Sequence, residues 1–357
     1  TFDDAFLICD IRADLPGWER ERRFHFDPAW NPGRQVLIHP CPGSTYRIDW
    51  QVAPGFDLAQ EERTGGLDRR IRQIVGAARY EIVWRSVYRF HTRHADRMRV
   101  GRVLLAGDCA HLVAPFGARG LNSGVPDAEN AAWKLAFVLR GWAPEDLLES
   151  YHDERLAAAL ENIEVTTRTM DFLVPRTEDA WGRRRAVLEQ AVTDPSARAS
   201  VDSGRFAEPF WYVDSPLTTP HPHRPFPGRP PRGQAPPVVP GVLLPDVPIR
   251  VAGEPAVTRT RDLARDGLLV LAAAGVDPAE AAATVSETTA APVRALALAD
   301  VDVEGLLAAA LEARRGEAWL VRPDGHVAAV VAGADAGALR AAARRCLGAA
   351  RAPVGAA

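Results

Sequence analysis

Short hydrophobic runs, some of them rich in aromatic and β-branched residues, recur between polar positions over the first hundred residues, a pattern typical of β-strands. The segment CPGS at 41–44 lies between two such runs, where it predicts a hairpin turn. Helical spacing interrupts this pattern once, between Leu67 and Gly76. We therefore predict one helix at 67–76 and strands at 5–11, 35–40, 45–52 and 80–90.

The pattern changes after residue 100. The run at 100–106 has the length of a buried strand and ends at Gly107. From Ser123 apolar residues recur on one helical face until Gly141, and a longer stripe begins near Pro144, a good first-turn residue. The predicted helices are 123–141, 144–173 and 178–192.

A proline-rich segment divides the chain further along. Twelve of the 29 prolines lie between residues 216 and 248, a density that forbids regular helix and central strand and predicts an extended connector. The Ala-rich remainder predicts the order β-α-β-α-β-β-α, with a hairpin turn at RPDG, 322–325. Its predicted strands are 267–273, 292–298, 319–321 and 326–331, and its helices are 278–283, 303–314 and 335–347.

Composition narrows the class of protein. The 357 residues carry a net charge of −3, without a basic face or charge block, which argues against nucleic-acid or membrane partners. No apolar run reaches the roughly 20 residues of a membrane span. The cysteines lie far apart, which predicts a reducing, cytoplasmic compartment and neither disulfides nor a metal site; they are Cys9, Cys41, Cys109 and Cys346.

The stretch at 107–124, GDCAHLVAPFGARGLNSG, carries the candidate chemistry. Asp108 follows the apolar run, and its carboxylate can accept strong hydrogen bonds from the hydroxyls of a ligand. Glycines at 117, 120 and 124 let backbone N–H groups approach a flat ligand, and the next helix starts nearby. The residues alone leave a second interpretation equally open, an ordinary strand–loop–helix crossover with Asn122 as a helix cap.

The longer segment GDCAHLVAPFGARGLNSGVPDAENAAWKL, 107–135, closely resembles the second FAD motif of the flavoprotein aromatic hydroxylases, the family of para-hydroxybenzoate hydroxylase and phenol hydroxylase. That family pattern is GDAAH, then P, GxG-[LM]-N and DAxNLxWKL. This sequence departs from it at Cys109, Pro126 and Ala131. The resemblance implies an α/β (α+β) fold: the C-terminal part of a flavin hydroxylase FAD/substrate domain, followed by a small thioredoxin-like α/β domain.

The resemblance also implies roles for single residues. Asp108 would bond the ribityl hydroxyls of FAD, and Pro115 would lie beside the flavin ring near the substrate. Backbone groups between Gly117 and Asn122 would hold the pyrimidine edge of the flavin, which adds Gly117, Gly120, Leu121 and Asn122 to the cofactor-binding set. His111 is interpreted as structural, and four residues as holding the helix: Asp127, Asn130, Trp133 and Lys134.

The activity implied is that of an FAD-dependent monooxygenase, which hydroxylates an aromatic, phenolic substrate with NAD(P)H and O₂. No side chain need act as a nucleophile, so the catalytic residues stay unassigned. The segment CPGSTYRIDWQV resembles the sheet that roofs the substrate site. In it Arg47 matches an arginine close to flavin and substrate, although a solvated strand arginine is an equally good interpretation.

The dinucleotide motif GxGxxG does not occur in the sequence. We therefore expect an N-terminally truncated portion of a family member, covering about its last two thirds and binding FAD poorly. The alternative is a non-catalytic remnant or assembly module. The tail lacks CxxC, which leaves homodimer formation or added stability as its role. The predicted parts are a substrate-binding sheet region (1–100), the FAD motif with its helices (101–198), the connector (199–248) and the thioredoxin-like domain (249–357).

Overall fold

The computed structural model describes residues 5–202, 204–231 and 233–349. The chain forms two compact units. The first comprises residues up to 95, 108–122 and 159–207, and the second comprises 96–107, 123–158 and the chain from 208 onward. The division into four functional segments stays a prediction from the sequence. The start of the first segment (1–4) and the end of the last (350–357) lie outside the described residues.

The first unit is built on a mixed-length antiparallel sheet in the order β2-β3-β4-β1-β5. Alternation gives each strand one face toward a core that includes Leu7, Ile48 and Trp50. Between β3 and β4 the predicted turn forms, with Gly43 and Ser44 both at positive φ. The strands are β1 (Ala5–Ala13), β2 (Arg23–His25), β3 (Val36–Cys41), β4 (Thr45–Val52) and β5 (Tyr80–Arg89).

Two short helices precede β5, namely α1 (Leu58–Arg63), which the pattern of the sequence does not predict, and α2 (Gly66–Val75). Leu67, Ile71 and Val75 recur every four residues on α2 and are buried against the core of the sheet. Burial of each such side chain contributes about 1.5–3 kcal/mol. The helix therefore covers one face of the sheet and leaves the opposite face for other contacts.

After β5 come β6 (Arg93–His94), β7 (Arg99–Val100), β8 (Val103–Leu104) and β9 (His111–Leu112). The predicted buried strand at 100–106 is wrong: Gly101, at a φ of 57°, turns the chain so that β7 pairs with β8. Val100 and Val103 are more than half exposed on this small hairpin. Asp108 thus lies in a short 3-10 turn, Gly107–Cys109, rather than at the end of a sheet strand.

Three helices follow, α3 (Arg119–Leu139), α4 (Glu149–Leu173) and α5 (Glu178–Thr193). The start of α3 was predicted at Ser123 but lies four residues earlier, so the last part of the predicted loop is the first helical turn. Pro126 is consequently inside the helix, where its missing N–H leaves the carbonyl of Asn122 without the usual donor. Pro144 caps a 3-10 turn that leads directly into α4.

The second unit contains the C-terminal sheet, in the order β11-β10-β12-β13. Strand β10 is buried on both faces, because its odd and even residues belong to two separate cores. The β-α-β-α-β-β-α order is confirmed, although the predicted helix 303–314 is shorter, at Leu306–Leu311, and an additional short helix, Leu298–Val301, precedes it. The elements are β10 (Leu268–Ala272), α6 (Pro278–Ser286), β11 (Val293–Ala297), α7 (Leu298–Val301), α8 (Leu306–Leu311), β12 (Glu317–Val321), β13 (Val327–Ala332) and α9 (Ala336–Cys346).

The architecture is therefore α/β, as predicted. None of the helices in the described part of the chain has the length and apolar character that a membrane span requires.

Candidate functional site

Asp108 and the start of α3 line one cleft of about 290 Å³ in the first unit, which we call the glycine-loop cleft. The first N–H groups of a helix have no intrahelical acceptor, so the start of α3 offers donors there. Of the predicted cofactor-binding residues, Gly117 does not line this cleft. Those that do are Asp108, Pro115, Gly120, Leu121 and Asn122, accompanied by Tyr88, His91, Leu112, Val113, Ala118 and Arg119.

Gly117 serves a different purpose from Gly120. A Cβ on Gly117, whose φ is 87°, would lie 2.0 Å from the carbonyl oxygen of Arg205. Gly117 therefore lets the segment around Arg205 pack against the loop, and its own carbonyl accepts a hydrogen bond from the N–H of Ala207 at 2.9 Å. A Cβ on Gly120 would meet no atom within 4 Å, because the space above it is the open cleft.

Among the non-glycine residues of 107–124, Ala118 alone has a positive φ and is therefore strained. Its φ of 55° is left-handed, a conformation that costs an alanine about 1–2 kcal/mol. The carbonyl of Ala118 accepts a hydrogen bond from Asn122 Nδ2 at 2.6 Å, which stabilises the turn. Such strain concentrates at ligand sites, so the conformation fits a loop shaped for binding.

The helix motif also fixes the backbone next to Asp108. Asp127 Oδ2 accepts a hydrogen bond from the N–H of Gly107 at 2.9 Å, and Asp127 Oδ1 accepts one from Arg155 Nε at 2.6 Å. A Cβ on Gly124 would come within 3.3 Å of the Gly107 Cα, so the helix and this turn are in close contact. The spacing of Gly107, Gly124 and Asp127 thus has a direct physical reason.

A larger cleft of about 560 Å³ lies over the open face of the first sheet, and we call it the sheet cleft. Alternate residues of the strands face it: Gln35, Leu37 and His39 at β3, Arg47 and Asp49 from β4, and Phe6 and Ile8 from β1. The lining is mainly apolar and aromatic, comprising Phe6, Ile8, Gln35, Leu37, His39, Pro40, Cys41, Arg47, Asp49, Tyr88, Phe90, Val113, Pro115 and Phe116.

The two clefts adjoin, because Tyr88, Val113 and Pro115 line both of them. Pro115 thus lies at the boundary of the two clefts, and its place beside a flavin ring near the substrate stays a prediction. Tyr88 is half exposed. By contrast, Tyr46 and Trp50, which a pocket could also have used, are buried in the core on the other face of the sheet.

Arg47 reaches the sheet cleft but is already paired. Its guanidinium makes two hydrogen bonds to Asp10 on β1, at 2.8 and 2.9 Å. The hydrogen bond to Asp10 raises the pKa of Arg47, so the side chain stays charged. Arg47 therefore lines the cleft while its charge is balanced by a neighbouring strand, and its place close to flavin and substrate stays a prediction.

Four polar residues of the clefts were missed by the sequence analysis: Gln35, His39, Asp49 and His91. His39 Nε2 lies 3.2 Å from Asp49 Oδ2 across two neighbouring strands. Buried polar atoms without a hydrogen-bond partner among the described residues include both amide atoms of Gln35, Asp49 Oδ1 and His91 Nδ1. Period-2 alternation could have revealed the first three, because they share a face with Arg47, but no local signal marks His91.

The predicted helix-holding residues belong to a buried ion network in the second unit. Glu154, fully buried on α4, accepts hydrogen bonds from Lys134 Nζ at 2.7 Å, Asn130 Nδ2 at 2.7 Å and Arg322 at 2.5 and 2.9 Å. Asp324 accepts from Arg322 at 2.6 Å and from Trp133 Nε1 at 3.1 Å. These contacts agree with a structural role for the end of the motif.

The charges of this network shift each other's titration. Burial lowers the pKa of Lys134 to about 8, although Glu154 favours its charged form. Burial alone would raise the pKa of Glu154, but Arg322 and Lys134 outweigh it, and the pKa lies below the usual range. Lys134 is the only lysine in the chain, and it is held inside the protein by these partners.

His111 is buried in β9, opposite His94 of β6, and does not line either cleft. This position agrees with its interpretation as a structural residue. Cys109, which replaces the alanine of the family pattern, is exposed beside Asp108.

Comparison with known proteins gives two family matches. Residues 13–166 match the model described as FAD binding domain, and residues 238–350 match the one described as aromatic-ring hydroxylase, C-terminal. The 3-(3-hydroxy-phenyl)propionate/3-hydroxycinnamic acid hydroxylase of Comamonas testosteroni is 33% identical over 189 residues, 53% of this chain and 31% of the relative. Tetracenomycin B2 monooxygenase-dioxygenase of Streptomyces olivaceus is 37% identical over 237 residues, 66% of this chain and 40% of the relative.

Solved structures agree with the fold. Aklavinone-11 hydroxylase, in a ternary complex with FAD and aklavinone, is 27% identical with a TM-score of 0.72, covering 96% of this chain and 62% of that chain. The flavin-dependent monooxygenase PieE, at 24% identity and a TM-score of 0.80, covers 97% of this chain and 66% of its own, and shows the fold alone.

The match to the first curated relatives spans about a third of their length. The two family matches lead to one conclusion: the chain is similar to an FAD binding domain over residues 13–166 and to the C-terminal part of aromatic-ring hydroxylases over residues 238–350.

Proposed function

We propose that the chain is part of an FAD-dependent monooxygenase that hydroxylates a phenolic aromatic ring with electrons from NAD(P)H. The observation that carries this proposal is the pair of adjoining clefts, one lined by Asp108 and the start of α3 and the other by aromatic residues of the sheet. Their shared wall at Pro115 would bring a cofactor and an aromatic substrate next to each other.

The residues of the glycine-loop cleft fit a flavin. The exposed carboxylate of Asp108 is an acceptor for the hydroxyls of a ribityl chain, and the first N–H groups of α3 are donors for ring carbonyls. The buried His91 Nδ1, without a partner among the described residues, provides a further polar contact. The open space above Gly120 admits a flat ring without a Cβ in the way.

When bound, FAD would accept electrons from NAD(P)H and use O₂ to supply the oxygen atom that enters the ring. The residues of the chain itself would orient the cofactor and the substrate and shield them from water. The positive end of α3 favours negative charge near the loop. Phe6, Phe90 and Phe116 pack together in one aromatic cluster, with ring centroids 4.6 to 6.1 Å apart, and keep water from that side of the sheet cleft.

Riboflavin tests the cofactor site directly, because it carries the ribityl chain and the ring without the adenosine part. We expect the wild-type chain to quench riboflavin fluorescence on titration, and Asp108→Ala to bind about tenfold more weakly through loss of a charge-assisted hydrogen bond. Asp14→Ala, an exposed carboxylate removed outside the clefts, is the matched control. No quenching by the wild type would favour the alternative of a non-catalytic remnant.

Turnover is tested with the same chain, FAD and a phenolic compound under isotope-labelled O₂. We expect one labelled oxygen atom in the product, and a comparison of NADH with NADPH identifies the donor. A hydroxylated product whose new oxygen atom is unlabelled contradicts the monooxygenase proposal. A cytoplasmic location and a homodimer held by the C-terminal domain stay predictions from the sequence; a sedimentation experiment tests the second.

A further inference from the structure

The side chain of Gln35 is the least satisfied buried polar group in the sheet cleft. It is 1% exposed, it lines the cleft, and neither its Oε1 nor its Nε2 has a hydrogen-bond partner among the described residues. Buried amides are normally hydrogen-bonded, so a ligand is a natural source of the partner that this side chain lacks among the described residues. We propose that Gln35 recognises the hydroxyl group of an uncharged aromatic ligand in the sheet cleft, an inference that rests on the proposed function.

The backbone around Gln35 is fully engaged, so the side chain is positioned rather than loose. The N–H of Gln35 donates to Gln51 Oε1 at 3.2 Å. Its carbonyl accepts from the N–H of Gln51 at 3.0 Å and from Asn31 Nδ2 at 3.3 Å. Gln35 directly precedes β3, and the alternation of side chains along the strand places it on the same face as Leu37 and His39, toward the cleft.

The donor and acceptor of a carboxamide match a hydroxyl group, which both donates and accepts. A second acceptor is near at hand on the same face, because Asp49 lies opposite Leu37 in the register of β3 and β4 and its Oδ1 is also buried without a partner among the described residues. The hydroxyl of a neutral phenol can donate a hydrogen bond to Asp49 Oδ1 and accept one from Gln35 Nε2.

The charges of the cleft favour an uncharged ligand. Arg47 is occupied by its two hydrogen bonds to Asp10, and His39 is in contact with Asp49. A carboxylate placed beside Gln35 would face the carboxylate of Asp49 in a mainly apolar lining, which raises the cost of removing it from water. The cleft volume of about 560 Å³ leaves room for fused rings.

The test uses calorimetric binding of three probes to the 357-residue chain: 2-naphthol, its isostere 2-methylnaphthalene, and 2-naphthoate. We expect the wild type to prefer 2-naphthol over both others. Gln35→Leu should weaken 2-naphthol binding about tenfold, the value of a lost hydrogen bond in a dry site, and leave 2-methylnaphthalene bound as well or better. Gln73→Leu, at an exposed glutamine of α2, is the matched control and should change neither.

A thermal melt of the free chain separates ligand recognition from a structural role. Leu in place of an unpartnered buried amide should keep or raise the Tm, whereas a structural glutamine would lower it when replaced. Equal loss for 2-naphthol and 2-methylnaphthalene, or an unchanged affinity with a lower Tm, overturns the inference alone. A wild type that binds none of the three probes contradicts the aromatic site itself and therefore the proposed function, and stronger binding of 2-naphthoate than of 2-naphthol refutes the uncharged ligand.

Discussion

Two sets of buried polar groups in this molecule differ in how completely they are paired. In the second unit, the carboxylate of Glu154 is surrounded by Lys134, Asn130 and Arg322. In the sheet cleft of the first unit, both amide atoms of Gln35 lack partners among the described residues. A fully paired group holds the fold, whereas a buried group with unused hydrogen-bonding capacity indicates where a ligand supplies the missing partner.

The comparison is tested most strongly by removing a charge from the paired set. Arg322→Met leaves Glu154 and Asp324 buried without their shared cation, and we expect it to lower the free energy of unfolding by about 3–5 kcal/mol. Urea denaturation measures the loss. Arg265→Met, which breaks an exposed pair with Glu129 in the same unit, should cost less than about 1 kcal/mol. Equal losses in the two variants would show that the network is not what stabilises this unit.

Two glycines of the loop provide a smaller contrast. Gly117→Ala forces a side chain against the carbonyl of Arg205 at a left-handed φ, and should lower the free energy of unfolding by about 1–3 kcal/mol. Gly120→Ala meets no neighbour and lies in a helical turn, so stability should be kept or slightly increased while riboflavin binding falls. Thermal melts and riboflavin titrations of both variants are the measurements. A stable Gly117→Ala chain, or unchanged binding by Gly120→Ala, contradicts these assignments.

Lowering the pH should gradually reduce the free energy of unfolding that the Glu154 and Asp324 network contributes. The folded-state pKa values of Glu154 and Asp324 lie below the ordinary 4.5 and 3.8 because their cations outweigh burial. As the pH falls through the ordinary values, the unfolded chain binds protons that the folded chain does not. The stabilisation is therefore complete above them and is lost toward lower pH, by up to about 1.4 kcal/mol per pH unit for each carboxylate.

Urea denaturation between about pH 6 and pH 3 measures this slope. Glu154→Gln should flatten it, while Glu164→Gln, at an exposed pair with Arg168, should leave it unchanged. A Glu154→Gln chain with the wild-type slope would assign the acid sensitivity to other carboxylates.

The sequence predicted much of the fold because its patterns are local. The CPGS and RPDG turns, the stripe of α2 and the strand at 267–273 each follow from neighbours in the chain. The strand at 100–106 was wrong because VGRVLL reads as one apolar run, and only the φ of Gly101 shows that it turns back on itself. The start of α3 was placed late because glycines at 117 and 120 are typical of loops, although Gly120 is helical here.

The candidate site was predicted as far as its motif extends. Asp108, Pro115 and the residues 120–122 meet in one cleft, whereas the place of Gly117 depends on contact with Arg205, 88 residues further along the chain. The sequence does not mark Gln35 and His91 as site residues, because their role also depends on residues distant in the chain. Whether a polar side chain is paired depends on which strands and turns surround it, and single-sequence patterns do not contain that information.

The buried position of Lys134 has a practical consequence for chemical labelling. Since every other basic side chain apart from histidine is an arginine, Lys134 is the one side-chain amine of this sequence, and it is fully buried in the fold. Reagents that acylate amines would thus leave this side chain unmodified in the folded protein. Acylation of Lys134 would report that the interior of the second unit has opened.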